Sequence, residues 1–298
     1  MINFIKKRRL WYSFSIIIIG IGVISMVSNF QQMNHIFNLG IDFTGGTSIT
    51  LRFNDQLSTL EKQLRETLMD TKLTKHSIQT SGLNDIVIKT EEMTVEKRNE
   101  LFTTIEKKIG PFDVLEVDII GPSIGEQLQT TSIIIIIAVS IAILIYCSWR
   151  FEFIFGIASI IALLHDAFIL LCVSALLQLE INTSYVAALL TMLGYSINDT
   201  IVIFDRIREK IRNQEDTTET WSKTLLNTAI NEMLPRSIHT SITTGLVLGS
   251  IYMVGGLSLK VFSSVLIIGL ITGTYSSLFI ASPMIITILK IRGAQIGQ

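Results

Sequence analysis

Charge is scarce in this chain. Only 16% of its 298 residues are Asp, Glu, Lys or Arg, against about 25% in a typical soluble domain, and 49% are hydrophobic, so the bilayer is the default solvent. The formal net charge of −1 leaves no bulk electrostatic case for nucleic acid or for an acidic substrate. Cysteine is scarce too. Cys147 and Cys172 both lie in apolar runs, which excludes a disulfide framework and any CxxC metal or redox site. No Ser/His/Asp or Cys/His constellation offers a nucleophile, so the chain is not expected to be an enzyme. Nor does the glycine-rich stretch Gly40–Thr47 carry the following lysine and strand-loop-helix setting of a phosphate-binding loop.

Long apolar runs are abundant. A spanning helix needs about 20 of them at 1.5 Å rise per residue, and six stretches qualify: Trp11–Asn29, Thr130–Ser148, Phe153–Leu177, Ser184–Phe204, the more polar Arg236–Gly255, and Val261–Leu289. The first follows Lys6, Lys7, Arg8 and Arg9 but ends in Ser28, Asn29, Phe30 and Gln31 rather than a small-residue cleavage site, so it reads as a retained anchor. Short loops with Lys and Arg face the cytoplasm. Lys6–Arg9, Arg150, the cluster Arg206, Arg208, Lys210 and Arg212, Lys223, Lys290 and Arg292 fall on one side, leaving Lys260 on the other. Both termini are therefore expected inside. The expected organisation is 1–30 as cytoplasmic terminus and first span, 31–125 as an outer domain, and 126–298 as five further spans with a cytoplasmic loop at 205–235.

The outer segment from Gln31 to Gly125 is polar and periodic. Strand patterns at Thr47–Phe53, Ser77–Thr80, Asn84–Lys89 and Asp113–Ile120 alternate with helical patterns at Leu57–Met69 and Glu96–Ile109. The order β-α-β-β-α-β predicts a small α+β ferredoxin-like unit. The expected fold class is thus a polytopic helical membrane protein of six spans with one such domain. An excess of acid over base in that domain argues against an anionic-lipid or nucleic-acid surface. The paired glycines Gly45 and Gly46, with Gly40 and Asp42 before them, read as a tight turn fixing the domain on the membrane.

Ionisable groups within spans are costly and usually functional, so they are the first candidates for mechanism. Asp166 follows His165 in the third span; Asp199 follows Asn198 in the fourth; Arg236 heads the fifth. Arg236, His239, Thr240, Thr243 and Thr244 share one helical face, suited to a water-filled seam that lipid would not tolerate facing outward. A desolvated carboxylate beside a movable cation can switch between holding and releasing a proton, which makes Asp199 with Arg236 the leading relay and Asp166 a further member. The competing reading is a static buried ion pair. His165 and His239 read as hydrogen-bonding residues rather than metal ligands, and Asp205–Lys210 as a solvated, positive-inside helix end.

Three stretches together carry a resemblance to a known family. Gly40-Ile41-Asp42-Phe43-Thr44-Gly45-Gly46-Thr47, then Leu193–Val202 running into Phe204-Asp205-Arg206-Ile207-Arg208-Glu209, then Arg236 with Thr240–Thr244, resemble the SecF subunits of bacterial SecD-SecF protein-export complexes. The spacing of six spans around one large outer loop is similar as well. The resemblance implies half of an RND-superfamily-like core completed by SecD, working with the SecYEG translocon on preproteins in the bacterial inner membrane. Protons would be the coupling ion, with no cofactor or metal. Asp199 and Arg236 match the family's essential membrane aspartate and arginine. His165-Asp166 resembles its His-Asp-Val sequence with Ala167 in third place, whereas Glu232-Met233-Leu234-Pro235 departs from it and puts a proline at the expected helix entrance. The rival classes are half of an RND-type small-molecule or lipid exporter and a non-energised scaffold.

Overall fold

The computed structural model describes residues 2–53, 63–68, 76–81, 85–150, 152–213 and 221–291. Its contacts divide the chain into two units, Met1–Asn38 with Ile135–Gln298, and Leu39–Ile134.

The second unit is built on a four-stranded antiparallel sheet. Its strands are β1 (Gly46–Phe53), β2 (His76–Ser81), β3 (Asp85–Thr90) and β4 (Phe112–Ile120), in the order β2-β3-β1-β4. Residues 63–68 form helix α3 and Val95–Lys108 form α4. That order is the ferredoxin-like arrangement expected from the alternation, and the expected helix at Leu57–Met69 falls within the described residues only over 63–68. Ile49, Leu51, Phe53, Ile86 and Ile88 from the strands meet Leu64, Leu68, Leu101 and Ile105 from the helices in one buried core. Every second residue of a strand points to one face, which is why these positions alternate.

A single helical turn, α2 (Ile41–Thr44), leads into β1. Gly45 and Gly46 follow with φ of 70° and 130°. A Cβ on Gly46 would lie 2.4 Å from the Thr90 carbonyl oxygen, and one on Gly45 2.9 Å from Pro122 Cα. The two glycines are thus required by backbone conformation and by space at once. Gly46→Ala is expected to destabilise this unit by about 1–3 kcal/mol of backbone strain. Limited proteolysis of the full chain in membranes checks it, since an unchanged cleavage rate within 39–134 would refute the reading.

Among the described residues, six helices are long and apolar enough to cross a bilayer. They are α1 (Arg8–Met33), α5 (Pro122–Arg150, shared by the two units), α6 (Phe153–Leu177), α7 (Thr183–Arg212), α8 (Lys223–Val254), and α9 (Leu257–Ser276), which continues through a π-helical turn, Ser277–Ala281, into α10 (Ser282–Ile291). Pro283 has no N–H to offer the Phe279 carbonyl, and a wider turn at that point absorbs the loss. The chain is a multi-pass helical membrane protein. α6, α7 and the α9-α10 helix form its centre, joined by Leu170, Leu189, Met192, Ile203, Leu278 and Ile285 in one core.

One boundary differs from expectation. The helix of the fifth span begins at Lys223 rather than Arg236, so Pro235 sits inside it and not at its entrance. The turns before it hold Asn227, Asn231 and Glu232, too polar for the hydropathy pattern to claim, yet tied down. Asn227 Oδ1 accepts the Phe4 amide at 2.8 Å, and Glu232 reaches α7. The expected cytoplasmic loop 205–235 is consequently helical at 205–212 and 223–235.

Candidate functional site

Two pairs of helices run parallel at unusually short range, and their registers bring the polar side chains together. Along α1 and α6, Ser15 meets His165, Gly22 faces Cys172, and Asn29 donates to the Ala175 carbonyl at 2.8 Å. Along α7 and α9, Gly269 faces Met192, Gly273 faces Ser196, and Ser277 meets Asp199. Small residues every fourth position let helix backbones approach where apolar packing alone cannot drive association.

Asp166 on α6 is wholly buried. Its Oδ2 accepts hydroxyl bonds from Ser196 of α7 and from Ser276 of α9, the latter at 2.6 Å, while Oδ1 lies 2.9 Å from His165 Nδ1. His165 Nε2 lies 2.9 Å from Ser15 Oγ; Ser15 donates to Tyr275 Oη at 3.4 Å, and Tyr275 donates to the Trp11 carbonyl at 2.8 Å. Asp199, half-buried one turn further along α7 than Ser196, accepts from Ser237 of α8 at 2.9 Å and from Ser277 at the first residue of the π-turn. Consecutive serines of one helix, Ser276 and Ser277, therefore serve the two carboxylates. A π-turn beside such a group is a common mark of a functional position.

Arg236 does not share that site. Among the described residues no ion pair joins it to Asp199. A residue on a helix lies 100° from its neighbour, and here Ser237 takes the position facing Asp199 while Arg236 is turned outward. It lines an open cavity of about 590 Å³ with Val202, Asp205, Arg206, Glu209, Glu232 and Met233. The expected polar stripe is turned the same way. His239, Thr240 and Thr243 are exposed in this chain, Thr244 is half-buried, and the face packed inward carries Ser237, Ser241 and Leu248. The hydroxyls do not need an inner seam, because Thr240 donates to the Arg236 carbonyl at 3.0 Å and Thr243 to the His239 carbonyl at 3.0 Å. Asn198 is exposed on α7.

Below Arg236, the charged helix end is an ion-pair network rather than a freely solvated one. Glu232 accepts from Arg206 and from Lys210, each at 2.6 Å, and Asp205 pairs with Arg150 at 3.3 Å. Glu232, which breaks the pattern before the arginine, thus has its charge taken up by α7. Exposed pairs of this kind contribute at most about 1 kcal/mol each, so they set helix register more than stability.

Reading the sequence for charge missed the serines at 15, 196, 237, 276 and 277. Their signal was present as a Gly269-x3-Gly273-x3-Ser277 spacing on the last span. Gly40, Asp42, Gly45 and Gly46 belong to the turn described above. Among the described residues no three His, Cys, Asp or Glu side chains converge as a metal site would require.

The comparisons agree on one family. A model described as "Protein export membrane protein SecD/SecF, C-terminal" matches residues 101–291, and one described as "SecD/SecF GG Motif" matches residues 37–56. Protein translocase subunit SecF of Calditerrivibrio nitroreducens is 38% identical over 98% of this chain and 95% of its own. That of Sebaldella termitidis is 32% identical over 95% and 91%, and that of Rickettsia prowazekii 35% over 95% and 89%. The crystal structure of SecDF from Thermus thermophilus, described as a translocon-associated membrane protein, matches with a TM-score of 0.84 at 31% identity, over 97% of this chain. SecDF in a super-membrane-facing form matches with 0.66 at 32%, over 98%. In both cases this chain covers 39% of the solved chain.

Proposed function

Because this chain belongs to the SecF family of SecD/SecF protein export membrane proteins, we propose that it serves as the SecF-type subunit of a protein translocase. In this reading it pairs with SecD and, through it, with the SecYEG translocon in the bacterial inner membrane. Both termini lie in the cytoplasm and the α+β unit outside. The proton motive force drives preprotein translocation and release on the outer side, and no cofactor takes part. The role is that of a transport subunit rather than an enzyme.

The observation that carries this reading is Asp199, a half-buried carboxylate held by hydroxyls from two neighbouring helices, Ser237 and Ser277. A carboxylate that gains a proton loses a charge, and each helix offering it a hydroxyl then holds it less firmly. Protonation at that junction biases the packing of α7, α8 and the α9-α10 helix, a two-state element of the kind that couples a bound ion to movement. The two SecDF structures differ from one another in their likeness to this chain at nearly equal identity, which supports a fold with more than one arrangement. The outward side of α7 and α8, with Asn198, Arg236, His239 and Thr243, is too polar for lipid and suits a partner's helices. Arg236 then faces the subunit boundary and the water that reaches it.

The test is export into proteoliposomes holding this chain, SecD and the translocon, with and without an imposed proton gradient. The gradient is expected to raise preprotein export, and Arg236→Ala to remove that increase while the complex still co-purifies. Loss of the complex in Arg236→Ala, with export indifferent to the gradient, would favour a scaffold. Transport of a small molecule without preprotein would favour an exporter.

A further inference from the structure

The bonds around His165 constrain where protons can be. Tyr275 gives its hydroxyl proton to the Trp11 carbonyl at 2.8 Å, so its oxygen is free to accept from Ser15 at 3.4 Å. With Ser15 donating there, its own oxygen is an acceptor, and His165 Nε2 at 2.9 Å must carry a proton to meet it. On the other side of the ring Nδ1 lies 2.9 Å from Asp166 Oδ1, a contact that needs a proton between the two atoms. The ring and carboxyl together then hold two protons. The pair is neutral overall, either as imidazolium with carboxylate or as imidazole with carboxylic acid.

Turning one hydroxyl gives the alternative. If Ser15 donates to Nε2 across the same 2.9 Å, that nitrogen is bare, Nδ1–H donates to Oδ1, and the pair carries one negative charge. Ser196 and Ser276 donate to Oδ2 in either form. The heavy atoms need not move. The arrangement that gives every polar hydrogen an acceptor in one protonation state therefore does so in the next, in a site closed to water on the Asp166 side.

We propose that His165 and Asp166 form a second proton-binding site of this chain, taking up one proton as a unit, with Ser15 as the donor that turns to accommodate it. The proton adds at Nε2, the Ser15 hydroxyl swings from His165 to Tyr275, and the pair passes from one negative charge to none. The packed elements also carry Arg8, Arg9 and Tyr12 on α1, Cys172 on α6, Tyr185, Tyr195, Asp199 and the charged end from Asp205 to Arg212 on α7, Lys260 and Tyr275 on α9, and Lys290 on α10. Of these, Asp199 is served by Ser277, the serine next to Ser276. Loading one carboxylate is therefore expected to alter the hydroxyl supply of the other. Its place in a transport cycle rests on the proton coupling proposed above; the binding of the proton does not.

The experiment uses the complex of this chain with SecD in lipid, with 15N-labelled histidine read by solid-state NMR and the carboxyl stretch read by infrared spectroscopy across pH. The wild type is expected to show the His165 ring and one buried carboxyl changing together, at one midpoint. Asp166→Asn is expected to remove that carboxyl signal and fix the ring as a neutral tautomer. Should that variant fold poorly, His165→Gln is expected to keep a carboxyl signal but move its midpoint by about one pH unit or more, as for strongly interacting sites. The transition is expected to persist in Asp199→Asn, where the gradient no longer raises export, so that failure of the coupling and failure of the site are told apart. Separate midpoints for ring and carboxyl, or a pair that does not titrate between about pH 5 and 8, the range over which histidine changes charge, would overturn the proposal.

Discussion

Asp199→Asn is expected to abolish the gradient-dependent part of preprotein export while leaving the protein in the membrane and bound to its partner. The substitution conserves shape. The amide oxygen can still accept from one of the two serines, Ser237 or Ser277, while the amide N–H donates to the hydroxyl oxygen of the other, so the helix junction keeps two bonds. What disappears is the change of charge. If protonation biases two packings of α7 against α8 and α9 by the 1–3 kcal/mol typical of coupled sites, the variant loses about 5- to 150-fold in the response. Basal export, which owes nothing to the gradient, is expected to remain. Measuring both in the same proteoliposomes separates the two quantities, and undiminished stimulation by the gradient in Asp199→Asn would remove Asp199 from the mechanism. Asp199→Ala is a weaker test, because it takes the acceptor from the buried Ser237 hydroxyl, while Ser277 keeps the Thr274 carbonyl, and mixes loss of charge with loss of packing.

Sequence alone carried the fold a long way, for identifiable reasons. Apolar runs of spanning length have few alternatives in a chain this poor in charge, and the two periodicities between Thr47 and Ile120 separate strands from helices cleanly. The start of α8 was hidden because Lys223–Leu234 mixes Thr, Asn and Glu into a helix that leaves the bilayer. Its helicity comes from partners distant in sequence, Phe4 and Arg206 among them. Asp166 and Asp199 were legible because a buried carboxylate is rare enough to notice. Their surroundings were not. Whether Arg236 or Ser237 faces Asp199 turns on a single residue of rotation, and hydropathy has no such resolution in a helix that is polar over half its length. Serine is common in spans, and Ser196, Ser276 and Ser277 acquire meaning only through the parallel registers of α1 with α6 and of α7 with α9.

That dependence on register makes the glycines of α9 as consequential as the acids. A Cβ at Gly269 would stand 2.0 Å from Met192 Cγ and 2.8 Å from its Cβ, so Gly269→Ala must push α7 away or drive Met192 out of its rotamer. Overpacking of this kind costs about 1–3 kcal/mol. The larger consequence is functional. Any lateral shift of α9 lengthens the bonds from Ser277 to Asp199 and from Ser276 to Asp166, and a hydrogen bond weakens steeply once its atoms part. Gly269→Ala is therefore expected to lower gradient-dependent export by more than its effect on stability accounts for. Combining it with Met192→Ala, which removes the atom in closest conflict, is expected to restore most of the export. Both quantities are measurable on one preparation, by thermal aggregation of the purified complex and by preprotein export with and without the gradient. If Gly269→Ala is silent, or if Met192→Ala adds to its defect instead of relieving it, the close contact of α7 with α9 is not what positions the two carboxylates.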